Sequence, residues 1–506
     1  MKKKVVVIGG GIAGMAAGVY AQKCGFDVTI LESHSKAGGV CTSWRRGDYL
    51  FEGGMHWLSG SGKKENVHRL WRYVGALDDS VAVHCREPFI ELNHGGVPIR
   101  MYRDVNLTER HLLELAPADA KEIRRLCGYI RRVRGLSMPV PDIRGVKVTK
   151  RNRLTLTLLF SAISAYSVLK TLSKIPQNTY INRFTHEGIR ELFRAFTSGR
   201  NGVIPLIFTM GSLARGDGGF PEGGSLPFND RIINTFTKLG GAILYNTRAD
   251  HVVTKNGGDS GDSCASNEVC VTGVMAGGRE FPADAVIITA DTLAIDYLFD
   301  TPPKGQWLDT MRAAAKPTMA TFVCLGINAD LKKYHYYYTF KLKTPIKLAN
   351  QIYEFISINN YAADSTYSPD GKTAMTIQLA GDTYEFWKKA REENRYDEEK
   401  KKIADAVIAG ISAQIPEVNG KVEVVDVATP LTYERYCAGW KGSWMTEMRP
   451  GTKMSRFPAV IKGLRGVYFA GHRMMPPGGL PVALTSAWYA VQNLCRDTGT
   501  LFISEN

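Results

Sequence analysis

At 506 residues the chain is longer than one hydrophobic core usually serves, so two domains are expected. A hydrophobic content of 44% and a charged content of 22% are those of an ordinary folded protein and exclude disordered, collagenous and repeat architectures. The net charge of +15 calls for an acidic partner or surface, while nine scattered cysteines with no CxxC pair argue against a zinc or iron–sulfur site and for reduced thiols in a cytoplasmic protein.

Lys2 to Lys4 followed by an apolar run has the outline of a secretory leader. The glycine spacing predicts something else. Val5 to Ile8 is a β-branched run of the kind that forms a buried parallel strand. It leads into Gly9-Gly10-Gly11-Ile12-Ala13-Gly14, a GxGxxG, and then into an Ala-rich helical stretch that Gly25 ends. Asp27 to Leu31 reads as a second strand, closed by Glu32. Gly9 permits a tight turn, Gly11 lets the backbone approach a pyrophosphate, and Gly14 lets helix and strand pack closely. The helix N-terminus at Ile12 and Ala13 would hold the pyrophosphate on its free N–H groups, and Glu32 would accept from the ribose hydroxyls.

Gly38-Gly39, a few residues beyond that acid, is a mark of large FAD-binding enzymes rather than of nicotinamide dehydrogenases. Gly53-Gly54-Met55-His56 follows. Between 121 and 153 the chain turns basic, with Arg124, Arg125, Arg131, Arg132, Arg134, Arg144, Lys147, Lys150, Arg151 and Arg153 facing few acids. Residues 154–169 then carry no charge at all. That stretch is short of the roughly 20 apolar residues a membrane span needs. It reads either as a buried core helix beside a solvated basic one or as the apolar half of a membrane-surface device. No nucleic-acid module accompanies the charge, so nucleic-acid binding is not expected.

Further on, Leu226 to Asp291 reads as a helix and several strands, with Asn256 to Asn267 a polar turn. Thr318 to Ile327, Ile352 to Ile358 and Thr373 to Ala380 read as strands. The dense aromatics Tyr334, Tyr336, Tyr337, Tyr338, Phe340, Tyr353 and Phe355 are either a sheet packing face or the wall of an apolar tunnel. Near the end, Gly466 to Phe469 is a strand that breaks at Gly471-His472. Gly478-Gly479-Leu480-Pro481-Val482 then opens a helix whose positive end would face a flavin.

These two ends, together with Gly219-Phe220-Pro221-Glu222-Gly223-Gly224-Ser225, resemble the phytoene desaturase, carotenoid isomerase and retinol saturase family of FAD-dependent oxidoreductases. The resemblance implies an α/β fold. Residues 1–60, 215–300 and 445–506 would form a discontinuous, GR2-like Rossmann-type FAD-binding domain. Residues 61–214 and 301–444 would form a sheet-plus-helices substrate domain. It also implies cofactor contacts at Gly9, Gly11, Ile12, Ala13, Gly14, Glu32, Ser33, Gly38, Gly39, Val40, Gly53, Gly54, Met55, Val252, Gly471, His472, Gly479, Leu480, Pro481 and Val482, and no metal. Two positions depart from the family pattern. Val40 stands where an Arg often follows the glycine pair, leaving Arg45 or Arg46 to serve the phosphates, and His472 stands where many relatives carry an acid.

The implied activity is desaturation or saturation of a carbon–carbon bond in an apolar unsaturated substrate, carotenoid-, retinoid- or otherwise lipid-like. His56 is the candidate proton-handling residue. No second GxGxxG follows, so electrons would come from or go to an external donor or acceptor. Rival expectations are a redox-neutral double-bond isomerase, a flavin amine oxidase and a non-enzymatic FAD-binding escort. The expected location is cytoplasmic, with attachment at the membrane periphery as the alternative.

Overall fold

The computed structural model describes residues 2–152, 156–196, 201–257, 264–303 and 306–504. Arg153, the first two residues of the uncharged stretch and residues 258–263 of the polar turn lie outside them.

The β-branched run predicted at the N-terminus forms the strand Lys4–Ile8, at the centre of a five-stranded sheet. Its neighbours are Asp27–Leu31, then Ala242–Leu244, on one side, and Ala285–Ile288, then Val467–Phe469, on the other. Every pairing is parallel. Numbered along the chain, the spatial order is 3-2-1-4-5, the doubly wound order whose reversal lies between Lys4–Ile8 and Ala285–Ile288. In such sheets ligands sit outside the carboxyl ends of the strands at that reversal. Two helices cover one face: Ile12–Lys23, buried from Ile12 to Ala21, and Leu480–Thr498 packed along it. Thr289 laces the carboxyl edge, its Oγ1 donating to the carbonyls of Ile8 (2.8 Å) and Gly9 (3.0 Å).

A second sheet has seven strands in the order Val422–Ala428, Ala320–Ile327, Thr373–Ala380, Gln351–Asn360, Tyr337–Leu348, Ile90–His94 and Val97–Met101. All its pairings are antiparallel except Tyr337–Leu348 with Ile90–His94. Ala320–Ile327 is buried throughout, and its two-residue period divides two cores. Val323, Leu325 and Ile327 pack with Val407 and Ile411 of the helix Tyr396–Gln414. Ala320, Phe322 and Cys324 pack with Leu50, Phe51 and Tyr433, in the core shared with the first sheet. The second sheet therefore turns one face towards the glycine-rich segments.

One expectation meets a correction here, and one pair of alternatives is narrowed. Cys264 and Cys270 form a disulfide, because the antiparallel hairpin of Ala249–Asn256 and Val269–Ala276 closes over their six-residue separation and brings their Cα atoms to 6.1 Å. The thiols are thus not all reduced; the other seven cysteines are free. The uncharged stretch forms the helix Leu156–Leu172, yet it is not a core helix. Ala165, Val168 and Leu172 point inward, whereas Leu156, Leu159, Phe160, Ile163 and Tyr166 are 52% to 74% exposed. The apolar stripe faces outward. Among the described residues no helix is long and apolar enough to cross a membrane.

Glycine at position 14 is dictated by packing, since a Cβ there would lie 1.8 Å from the Gly9 carbonyl oxygen. Gly128, inside the helix Ala120–Val133, has nothing within 4 Å of where a Cβ would be. Gly14→Ala is expected to lower stability by about 3 kcal/mol. Gly128→Ala is expected to raise it by roughly 0.5–1 kcal/mol, as a helix-interior glycine should. Denaturant midpoints of the two variants check both signs.

Candidate functional site

The glycine motifs converge at the carboxyl edge of the parallel sheet. Gly11 and Gly38 form a parallel bridge, with the Gly38 N–H donating to the Gly10 carbonyl at 2.9 Å. Gly38 has φ +129° and Gly39 φ +58°, backbone that an L side chain rarely adopts. Asn229 on the helix Ser225–Lys238 donates from Nδ2 to the Cys41 carbonyl at 2.6 Å and holds the end of this turn. Gly54 lies against the same loop, where its Cβ would come within 2.1 Å of the Val40 carbonyl oxygen. Gly53 is fixed from the other side by the Tyr433 hydroxyl, which donates to its carbonyl at 2.9 Å.

Glu32 is buried at the end of its strand. One carboxylate oxygen accepts from the Gly10 N–H at 2.6 Å and the other from the His34 N–H at 2.7 Å, with the exposed Ser33 hydroxyl at 3.4 Å. Val252 is buried in the core cluster that also holds Leu31. The C-terminal motif joins through Gly471, whose N–H donates to Ser486 Oγ at 2.9 Å. The Gly478–Gly479 turn, with φ +100° and +86°, folds back over the His472 carbonyl and opens the helix at Leu480, Pro481 and Val482. Of the sequence-derived cofactor positions, those of residues 9–14, 32–40, 53–55, 471–472 and 479–482 therefore line one sheet edge, while Val252 stands apart on the neighbouring hairpin.

This cradle fits an extended dinucleotide. The helix Ile12–Lys23 has no side-chain cap, so its first N–H groups are free for an anion. A Cβ at Gly11 would meet only Gly38–Gly39 backbone, no nearer than 3.8 Å, and one at Gly479 only Pro481. His472 Nε2 is buried without a partner. Burial lowers its imidazole to about 4, so the ring is neutral and can donate a single hydrogen bond. The arginines proposed for the phosphates point elsewhere. Arg46 pairs with Asp426 at 3.0 Å and Arg45 reaches the Thr366 carbonyl, both on the second sheet's side. Any phosphate charge is left to the backbone amides.

Beside the cradle lies a small cavity lined by His56, Trp57, His84, Arg86, Phe89, Arg103, Gly218, Phe220, Tyr336, Tyr337 and Asn359. His56 stacks on Phe322, with centroids 6.2 Å apart and planes 12° from parallel. Asn359 Nδ2 stands 3.3 Å from its Nδ1; with the amide as donor, the ring proton sits on Nε2. Burial holds His56 at about 4 as well, hence neutral. The predicted aromatic cluster divides: Tyr336 and Tyr337 line the cavity, whereas Tyr338 and Phe340 pack in the core under the helix Tyr396–Gln414.

Sequence reasoning missed five side chains. Glu52 is fully buried and accepts from the Gly54 and Met55 N–H groups, from the Ser225 N–H and hydroxyl, and from Tyr367. Burial nevertheless lifts its carboxyl above the ordinary carboxylate range, the hydrogen bonds pulling the other way. Asp291 and Arg473 form a bidentate pair, at 2.6 and 2.8 Å, beneath the Gly471 turn. Burial raises Asp291, but the Arg473 charge, the hydrogen bonds from Arg473 and that from the Trp440 amide together outweigh it and keep the carboxyl below its usual range. Arg86 and Arg103 are the others. The only sequence signal for Glu52 was its place immediately before Gly53-Gly54; nothing marked the arginines.

The flavin-containing amine oxidoreductase family matches residues 12–495. The all-trans-retinol 13,14-reductase of Danio rerio is 23% identical over 499 residues, covering 86% of this chain and 76% of that one. The lycopene-forming phytoene desaturase of Pseudescherichia vulneris is 26% identical over 325 residues, 62% of this chain and 60% of that one. Among solved structures, an oxidoreductase from Methanosarcina mazei shares the fold with a TM-score of 0.58 at 16% identity, over 96% and 98% of the two chains.

Replacing Glu52 by Gln would set an amide N–H₂ against donors that now face a carboxylate. Glu52→Gln is expected to cost about 2–4 kcal/mol of stability. It should also lower the flavin retained through purification, read as the ratio of flavin to protein absorbance.

Proposed function

The chain belongs to the family of flavin-containing amine oxidoreductases, and from that premise we propose that it exchanges a hydride and a proton at a carbon–carbon bond of an apolar unsaturated substrate held beside His56. The protein is an FAD-dependent oxidoreductase; bound FAD supplies two-electron chemistry. Residues 1–60, 215–300 and 445–506 would serve the cofactor, and residues 61–214 and 301–444 the substrate.

The observation that carries this reading is the lining of the cavity. Trp57, Phe89, Phe220, Tyr336 and Tyr337 offer apolar faces, and its charged members are Arg86 and Arg103, with no acid. A protonated amine there would meet like charge. A second cation about 4 Å from a guanidinium costs on the order of 4 kcal/mol at an effective dielectric near 20. The amine oxidase reading is disfavoured on this ground, although family members share the cofactor fold. The all-trans-retinol 13,14-reductases and the phytoene desaturase among the relatives support an apolar, unsaturated substrate.

Within the site, the aromatic walls orient the substrate and keep water from it. His56, neutral through burial, takes up the substrate proton at Nδ1, displacing the Asn359 amide, in the direction of desaturation; in the direction of saturation the ring so protonated returns it and becomes neutral again. Asn359 fixes the ring's tautomer and its plane. Electrons enter or leave through an external carrier.

A second element of the proposal is peripheral attachment to an anionic membrane surface. The outward stripe of Leu156, Leu159, Phe160, Ile163 and Tyr166 supports it, and so does the helix against which Leu156–Leu172 packs, Ala120–Val133, with Arg124, Arg131 and Arg132 exposed. A cytoplasmic protein with such a face would meet acidic lipid there.

Two measurements test these readings. Anaerobic absorbance spectra of the flavin-loaded protein should show oxidised-flavin bands bleaching with a saturated compound, or the reduced flavin reoxidising with an unsaturated one. Turnover without either change would indicate an isomerase, and a flavin that responds to no compound would end the enzymatic reading. In flotation with phosphatidylserine vesicles the protein should rise with the lipid. The triple variant Leu159→Ser, Phe160→Ser, Ile163→Ser should stay behind; a wild-type chain that does not float removes the membrane element.

A further inference from the structure

The cavity beside His56 contains a charge with no counter-ion among the described residues. Arg86 lies over the Tyr336 ring, 3.2 Å from its centroid, and 4.9 Å from that of Phe220. Its Nη1 is buried without a hydrogen-bond partner. Arg103, buried in the same lining, spends its guanidinium on the carbonyls of Asp217 and Gly218 rather than on a carboxylate. The acids nearby are committed elsewhere. Asp217 takes the Gly60 and Gly62 N–H groups and the Ser61 and Ser212 hydroxyls. Glu87 accepts from the Arg103 backbone N–H at 2.9 Å and does not line the cavity. Glu52, beyond Tyr367, is saturated by its own donors.

A buried donor on a cation costs free energy until an acceptor reaches it, and an anion is the acceptor that also offsets the charge. Among the described residues none supplies that anion. We propose that Arg86 receives a carboxylate of the substrate, so that the site takes an unsaturated lipid acid with its acid group held near the reacting bond. The inference rests on the reading of this site as the place of carbon–carbon chemistry, and it narrows the substrate class. A carboxylate is favoured over a phosphate monoester because Arg103 is engaged by carbonyls, which leaves Arg86 as the one cation of the lining to meet an anion, and a dianion would call for a second. The apolar walls take the unsaturated chain beyond the acid group.

The test uses the FAD-loaded protein and flavin difference absorbance. The probes are all-trans-retinoic acid with its alcohol and methyl ester, and a C18 conjugated trienoic acid with its alcohol and its alkyl phosphate. At least one acid should bind tenfold or more tighter than its alcohol, and no weaker than the phosphate. In Arg86→Met, which keeps length and loses charge, that preference should fall below threefold while affinity for the alcohol stays within twofold. Arg86→Lys should restore part of it. Equal affinity for acid and alcohol, tighter binding of the phosphate, or an Arg86→Met variant that weakens both compounds alike would overturn the carboxylate site and leave the carbon–carbon reading standing. If no probe perturbs the flavin, the carbon–carbon reading fails. Equilibrium dialysis of the radiolabelled acids against wild type and Arg86→Met then decides the carboxylate site separately: wild-type binding lost in the variant upholds it, and equal or absent binding overturns it.

Discussion

The buried carboxylate of Glu52 ties together the parts on which the site depends. It has no cationic partner among the described residues; its counter-charge is made of dipoles. The Gly54 and Met55 amides come from its own loop, the Ser225 amide and hydroxyl from the first turn of the helix Ser225–Lys238, and the Tyr367 hydroxyl from a connection between strands of the second sheet. Two of these donors stand at a helix N-terminus, where the macrodipole adds to their attraction for negative charge. Desolvation still raises the carboxyl, so the clamp holds only while every donor is in place. That all-or-none character sets the segment 53–56 against Gly38–Gly39 on one side and against the cavity on the other.

The same economy recurs around the site. Glu32 is satisfied largely by the Gly10 and His34 amides, and Asp217 by the Gly60 and Gly62 amides with two hydroxyls. The deeply buried ion pair of Asp291 with Arg473 at the sheet edge is bidentate, and Ser443 takes a further donor of the guanidinium at 2.6 Å. It cancels its own charge and leaves the cradle to amides and to the neutral rings of His472 and His56. Acids in this region are consumed by backbone, and what remains uncancelled in the cavity is positive.

Much of the first sheet was legible because it is local. A β-branched run, a GxGxxG, a helix and a second strand ending in an acid lie within about thirty residues, and the two strands pair in parallel as buried, unalternating runs do. The strands at Thr373–Ala380 and Ala320–Ile327 were readable for the same reason. The Glu52 clamp was not, since its Ser225 partner is 173 positions away and its Tyr367 partner 315. The aromatic cluster divided because the chain enters a strand at Tyr337, where successive side chains take opposite faces. Residues 154–169 left two readings open, because the absence of charge marks apolarity and says nothing of which side the stripe faces.

Arg86 illustrates how a protein keeps a cation available. Had an Asp or Glu neutralised it, a bidentate pair would have used the very donors a ligand needs, as Asp291 uses those of Arg473. The faces of Tyr336 and Phe220 instead stabilise the charge through their quadrupoles while leaving the edge of the guanidinium free. The stabilisation is smaller than a buried carboxylate would give, and that shortfall is what a ligand anion can recover on binding. Tyr336 also ties this arrangement to the rest of the site, since its hydroxyl stands 3.4 Å from the His56 carbonyl and 3.3 Å from the Tyr361 hydroxyl. Tyr361 in turn stacks on Tyr367, which reaches Glu52. The ring that holds the free cation is thereby positioned by the same clamp that positions the segment beneath His56.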